Sequence, residues 1–250
     1  MNSPLAGRSA LVTGATRGIG AAVARALAAS GARVLLVART QDLLERAVAE
    51  LPGAAVGIRA DLTAAGAAAL VAEAARAALG GDGVAAGDAR GGAPDIIVHA
   101  AGNFPMAPFA DADDATIEQA LTLNAAVPLR LTREFLPAMR SRGTGHVVMI
   151  GSIADRVIFP SNAAYSASKH ALRAVHETLR AETRGSGLRA TLVSPAATDT
   201  PIWDQYLTSE TPHLPTRADM LRAEDVADAV LWAVTRPAHV DIEELRLARS

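Results

Sequence analysis

Short apolar runs with uncharged centres recur along this chain, each followed by a longer alanine-rich segment, and this alternation constrains the fold most. SALVTG, RVLLVAR, AVGIRADL, PDIIVHAAG, GHVVMIGS and LRATLVSP read as strands. Centres such as LLV, IIV and VVMI mark strands covered on both faces. Between them lie GIGAAVARALAAS, QDLLERAVAEL, AGAAALVAEAARAAL, the long segment ATIEQALTLNAAVPLRLTREFLPAMR, and AAYSASKHALRAVHETLRAET. Each reads as one helix, QDLLERAVAEL from apolar residues at i, i+3, i+4 and i+7. A late helix AEDVADAVLWAVT and a last strand EELRL close the series. Strand–helix alternation with short connections predicts an α/β fold, a parallel sheet flanked by helices.

Two segments break the rhythm. Residues 80–93, GGDGVAAGDARGGA, read as a surface loop because the alternation resumes directly after them. Residues 198–222 carry three prolines and several large aromatics, and read as a lid. With 250 residues, half of them apolar, the chain is expected to form a single domain over residues 1–250. A net charge of −2 argues against nucleic acid or anionic membrane as a partner. The absence of cysteine excludes disulfides, thiolate metal sites and a cysteine nucleophile; no metal site is expected. The N-terminus lacks a charged region followed by an apolar run, and no run is long enough to span a bilayer. A soluble, cytoplasmic protein is the expectation.

The turn after the first strand, TGATRGIG, places Gly14, Gly18 and Gly20 before a helix. Glycines there permit a tight turn and let backbone N–H groups approach a pyrophosphate. Taken alone, the motif also fits a glycine-bearing turn with no ligand. The next strand ends in Ala38 and Arg39, where an acidic residue would pair with NAD ribose hydroxyls, and Arg17 lies in the glycine turn. Two guanidiniums suit a 2′-phosphate, which favours NADP(H) over NAD(H). The competing reading is that arginine is common everywhere in this chain.

Arginine supplies 23 of the 24 basic residues. The one lysine, Lys169, follows Tyr165 by four positions, so the two share a helix face. An unperturbed phenol has a pKa of about 10, and a neighbouring ammonium favours the phenolate. A compact ammonium can also reach ribose hydroxyls, whereas a planar guanidinium would place its charge differently. Ser152 follows the strand GHVVMIGS, at an end of a parallel sheet where sites assemble. Asn124 interrupts a helix in which asparagine is a poor former; a solvent-facing polar residue is its alternative reading.

Assembled, TGATRGIG, RADL, HAAG, Asn124, Ser152, YSASK and PAATDT closely resemble the short-chain dehydrogenase/reductase family, in its NADP-preferring subtype of about 250 residues. The resemblance implies a Rossmann-type doubly wound sheet of seven parallel strands in the order 3-2-1-4-5-6-7, with helices on both faces. It implies a catalytic tetrad of Asn124, Ser152, Tyr165 and Lys169. Tyr165 would exchange a proton with the substrate oxygen and Ser152 would polarise it. Lys169 would hold the nicotinamide ribose and lower the tyrosine pKa, and Asn124 would position a water. Cofactor contacts are implied for Gly14, Thr16, Arg17, Gly18, Ile19, Gly20, Arg39, Asp61, Leu62, Ala100, Gly102, Tyr165, Lys169, Pro195, Thr198 and Thr200. The substrate would be a small ketone or secondary alcohol, and the assembly a homo-tetramer or homo-dimer.

Two positions depart from the family pattern. His99 stands where the family has an asparagine, and reads as a hydrogen-bonded structural substitute rather than a catalytic acid. Ala196 stands where the family has glycine, so the backbone near the nicotinamide is expected to differ slightly. Phe104, Met106, Val157, Ile158, Phe159, Trp203 and Tyr206 are expected to wall an apolar substrate pocket. Arg156 would meet an anionic substrate or lie on the surface. The alternatives to an NADP(H) oxidoreductase are the same enzyme using NAD(H), or a nucleotide-binding regulatory or scaffold protein with an inert site.

Overall fold

The computed structural model describes residues 3–80, 92–208 and 214–250. Most of the segment 80–93 and residues 209–213 of the segment 198–222 therefore lie outside the described residues. The strands are β1 (Ser9–Thr13), β2 (Arg33–Ala38), β3 (Ala55–Arg59), β4 (Ile96–His99), β5 (Gly145–Ile150), β6 (Leu188–Pro195), β7 (Thr198–Asp199), β8 (Leu221–Arg222) and β9 (Glu244–Leu247). The helices are α1 (Gly18–Ala29), α2 (Gln41–Glu50), α3 (Ala67–Gly80), α4 (Asp114–Leu121), α5 (Val127–Arg142), α6 (Ala163–Thr183) and α7 (Ala223–Val234).

Seven strands form one parallel sheet in the order β3-β2-β1-β4-β5-β6-β9. This is the expected order, with β9 as the seventh strand. The segment read as a lid holds β7 and β8, which pair only with each other.

Alternation along each strand divides the core into two layers. Ala10, Val12, Val34 and Leu36 face α1, α2 and α7, meeting Val23, Leu27, Leu44, Val226 and Val230. Leu11, Leu35, Val37 and Ile97 face α3, α5 and α6, meeting Val71, Leu131, Phe135 and Leu172. The central strands are buried on both faces, as their uncharged centres require. The edge strand β3 is an exception, with Gly57 and Arg59 exposed. It also ends at Arg59, short of the Ala60, Asp61 and Leu62 that close the expected strand AVGIRADL.

The long segment 115–140 is helical throughout, as expected, but its pitch changes part-way. A π-helical turn, Thr122–Ala126, separates α4 from α5, and the Val127 N–H donates to the Thr122 carbonyl. Pro128 closely follows this turn. It has no N–H for the Asn124 carbonyl four residues back, and its ring crowds that carbonyl. Asp113 caps α4 by accepting from the Thr116 N–H at 2.7 Å. Gly143, at φ 69°, ends α5 in the left-handed region.

Candidate active site

The carboxyl ends of β1, β2, β4, β5 and β6 open into one cleft of about 1040 Å³. Its first wall is the glycine turn. Gly14 has φ +67°, and a Cβ there would lie 2.8 Å from the Ala101 Cα. A Cβ on Gly20 would lie 2.2 Å from the Gly14 carbonyl oxygen. Both positions exclude any side chain, so the turn folds tightly enough to open α1 toward the cleft. Thr13, whose role sequence reasoning missed, braces the neighbouring strand end. Its hydroxyl accepts from the Ala100 and Ala101 N–H groups, both at 3.1 Å. A polar residue closing the apolar run ALV was the available signal.

The structure brings together every residue that the sequence assigned to cofactor contact. Gly14, Thr16, Arg17, Gly18, Ile19 and Gly20 line the cleft from the glycine turn. Arg39, Asp61 and Leu62 line it from the ends of β2 and β3, and Ala100 and Gly102 from the end of β4. Pro195, Thr198 and Thr200 line it after β6, and Tyr165 and Lys169 from α6. Asp61 accepts from the Thr63 N–H at 3.0 Å and from its hydroxyl at 2.7 Å. These bonds, with Arg39 nearby, hold its carboxyl below the usual range.

A cradle cut to backbone dimensions, with Arg17 and Arg39 among its lining residues, fits a dinucleotide phosphate. Ala196 fits the site without a left-handed backbone. Among described non-glycine residues only Ser161 has positive φ, at 60°, and the Ala196 N–H donates to the Leu247 carbonyl at 2.8 Å.

Ser152, Tyr165 and Lys169 meet at the cleft floor. Ser152 leaves β5 in an extended conformation, and its hydroxyl accepts from the Ala154 N–H at 3.1 Å. The Lys169 ammonium donates to the Ile150 carbonyl at 2.9 Å and lies 5.6 Å from the Tyr165 ring centre. Burial pushes Tyr165 up to about 12; the Ser152 hydroxyl opposes this and Asp155 adds to it. Burial draws Lys169 down to about 8, and Asp155 opposes that fall. Desolvation is thus the largest influence on both the phenol and the ammonium.

Asn124 does not line the cleft. Its side-chain oxygen accepts from the Asn103 N–H at 3.0 Å. Its amide donates to the Asn103 carbonyl at 3.0 Å and the Ser168 hydroxyl at 2.9 Å. It ties the π turn to the β4 loop and to α6, one residue from Lys169. His99 likewise points away, with Nε2 2.9 Å from the Thr132 hydroxyl. Burial holds it down to about 3, so it is a neutral structural residue at ordinary pH.

Of the expected substrate wall, Phe104, Met106, Phe159 and Trp203 line the cleft. Val157 and Ile158 do not: they are 43% and 70% exposed, on a loop that turns away from the floor. Tyr206 stands behind the wall. Its hydroxyl donates to the Phe104 carbonyl at 2.7 Å, and its ring packs edge-on against Phe104. Phe104 also meets the Tyr165 ring at 4.7 Å and Trp203 at 4.8 Å. Arg156 meets no substrate space, because it is paired with Asp155 and Glu244 at 2.9 and 2.6 Å.

The family model for short chain dehydrogenase matches residues 8–211. The chain belongs to the short-chain dehydrogenase/reductase family. A short chain dehydrogenase/reductase family protein of known structure superposes with a TM-score of 0.84 at 32% identity, over 99% of this chain and 97% of that one. A metagenomic short-chain oxidoreductase solved in complex with NADP gives 0.80 at 30% identity, over 99% of both. Glycine betaine reductase of Emericella nidulans is 36% identical across 97% of this short-chain dehydrogenase/reductase, which spans only 19% of that relative. Among the described residues no helix is long and apolar enough to cross a membrane.

Proposed function

We propose that the chain is an oxidoreductase moving a hydride between NADP(H) and a ketone or secondary alcohol, with Tyr165 as acid and base. The observation that carries this reading is the meeting of Ser152, Tyr165 and Lys169 at the floor of a cleft whose far wall is the glycine turn. When bound, the cofactor supplies or accepts the hydride. Ser152 would donate to the substrate oxygen as charge develops on it. Tyr165, with its pKa raised to about 12, holds its proton at neutral pH and would give it to that oxygen during reduction. Lys169, still largely charged at neutral pH, would stabilise the tyrosinate left behind and hold ribose hydroxyls. Asn124 would act through the β4 loop and α6 as a positioning residue.

Arg17 and Arg39 support NADP(H), as do the NADP complexes among the structural relatives. Titrating the purified protein with NADPH and NADH, followed by nucleotide fluorescence, tests this reading. Tight NADPH and weak NADH binding is the expected result, with Arg39→Asp moving preference toward NADH. Equal affinity for both nucleotides would remove the role of the arginines. Binding of neither would favour an inert scaffold.

A second substrate reading draws on the aromatic wall. Phe104, Trp203 and Phe159 line the substrate end, where Lys169 is the one cationic residue among the lining residues there. Such a wall would suit a quaternary ammonium group through cation–π attraction. Glycine betaine, named in the relative, carries that group. Comparing betaine aldehyde with its neutral isostere 3,3-dimethylbutanal decides the point: preference for the charged aldehyde supports it, and indifference removes it. A cytoplasmic homo-dimer or homo-tetramer completes the proposal. Exposed Leu121 and Leu129 on α4 and α5 support the assembly, and a monomer by light scattering would refute it.

A further inference from the structure

Asp155 is fully buried beside the reactive groups and has no part in the mechanism above. Its Oδ2 accepts from the Ser194 hydroxyl at 2.6 Å, and its Oδ1 from Arg156 at 2.9 Å. Arg156 in turn pairs with Glu244 on β9 at 2.6 Å. The carboxylate lies against the backbone of Gly151. A Cβ there would sit 3.0 Å from Asp155 Oδ2 and 2.7 Å from Ser194 Oγ. Gly151 directly follows Ile150, whose carbonyl takes the Lys169 ammonium at 2.9 Å. A buried carboxylate and a buried ammonium are thus packed on adjacent residues of one strand end. Between such charges, little solvent screens the attraction.

We propose that Asp155 is a positioning residue, the counter-charge that keeps Lys169 an ammonium, with Arg156 setting how much of that charge Lys169 feels. The inference rests on the reading of Lys169 as part of the reacting site. The direction of the electrostatic influence agrees: Asp155 raises Lys169 against the larger, opposite effect of burial. The groups facing this pair come from four places. Tyr165 shares α6 with Lys169, Ser152 and Arg156 flank the turn that carries Asp155, Ser194 comes from β6, and Glu244 from β9. Arg156 partly cancels Asp155, and Glu244 partly cancels Arg156.

Because Lys169 is the only lysine in the chain, a 13C label at lysine Cε reports this one side chain, with or without turnover. In the wild type its resonance should titrate near pH 8. Asp155→Asn, which keeps the shape and removes the charge, should lower the midpoint by about one pH unit. Arg156→Gln should raise it, because the carboxylate loses its competing partner. A merely structural role would not move the two variants in opposite directions. Unchanged midpoints in both would overturn the inference. Should Asp155→Asn fail to fold, the less buried Arg156→Gln decides alone: an upward shift supports the proposal and no shift refutes it. A protein that shows these shifts but reduces no carbonyl with NADPH would sink the proposed function and leave this inference standing. A competent reductase with unmoved midpoints would do the reverse.

Discussion

At Tyr165, burial and chemistry pull in opposite directions. A phenol pushed up to about 12 is a poor base at neutral pH but a loaded acid. Loss of that one hydroxyl should therefore remove turnover and little else. Tyr165→Phe keeps the edge-on contact with Phe104 at 4.7 Å, so the packing of the wall survives. Turnover is expected to fall by at least about 10²-fold, the worth of a positioned acid, while NADPH affinity stays within a small factor. Near-normal turnover in steady-state assays would strip Tyr165 of its role. Lys169 shows why a chain that otherwise uses arginine keeps one lysine. Its ammonium is buried, donates to a carbonyl and sits within reach of a phenol ring, a space that a planar guanidinium would not fill in the same way.

The helical elements show how a local irregularity places a group. Asn124 was legible as a misfit inside a helix, but its hydrogen-bond partners were not. From the π turn before Pro128 its amide reaches Asn103 and Ser168 together. Asn124→Ala would strand the Asn103 backbone groups in a partly buried place. Each lost buried bond typically costs about 1–3 kcal/mol, so a lower unfolding midpoint in urea is expected. Reduced turnover should accompany it, because the β4 loop carrying Phe104 and the helix carrying Lys169 are no longer tied. An unchanged midpoint and rate would mean that the bridge is dispensable. The wall residues tell the complementary story. Val157, Ile158 and Phe159 are consecutive and equally apolar, yet only Phe159 of the three lines the cleft. Periodicity carries no information in an irregular loop.

Across the whole molecule, stability should depend on pH through three buried histidines, His99, His146 and His176, each drawn down by burial. Burial holds His99 and His146 down to about 3, with Arg189 and Arg8 adding to the effect at His146. In the unfolded chain each would titrate near about 6.5. Below that pH the unfolded state binds protons that the fold refuses. Stability is complete above about pH 6.5 and is lost as pH falls toward 3, by up to about 1.4 kcal/mol per unit for each histidine. His146→Gln should weaken this dependence. Its replacement amide can still meet Thr191, whose own hydroxyl donates to the Ile242 carbonyl at 2.6 Å. Denaturant midpoints at pH 7 and pH 4.5 give the comparison. Identical slopes for variant and wild type would assign the acid sensitivity to other groups.

The sequence by itself determined the parallel sheet, its strand order through the family motifs, and the residues of the glycine turn. These are local or periodic properties: an uncharged centre demands burial on both faces, and glycines in a turn mark a tight backbone, which at Gly14 and Gly20 leaves no room for a Cβ atom. The spacing of Tyr165 and Lys169 was equally plain, because one helical turn fixes it. Tertiary structure alone decided the rest. Asp155, Ser194 and Glu244 come from separate strands and turns and meet only when β5, β6 and β9 lie side by side. The balance of burial against charge at Tyr165 and Lys169, and the division of the wall into lining and exposed residues, also depend on distances across the sheet. Desolvation and unscreened charge act through space, and spacing along the chain does not encode them.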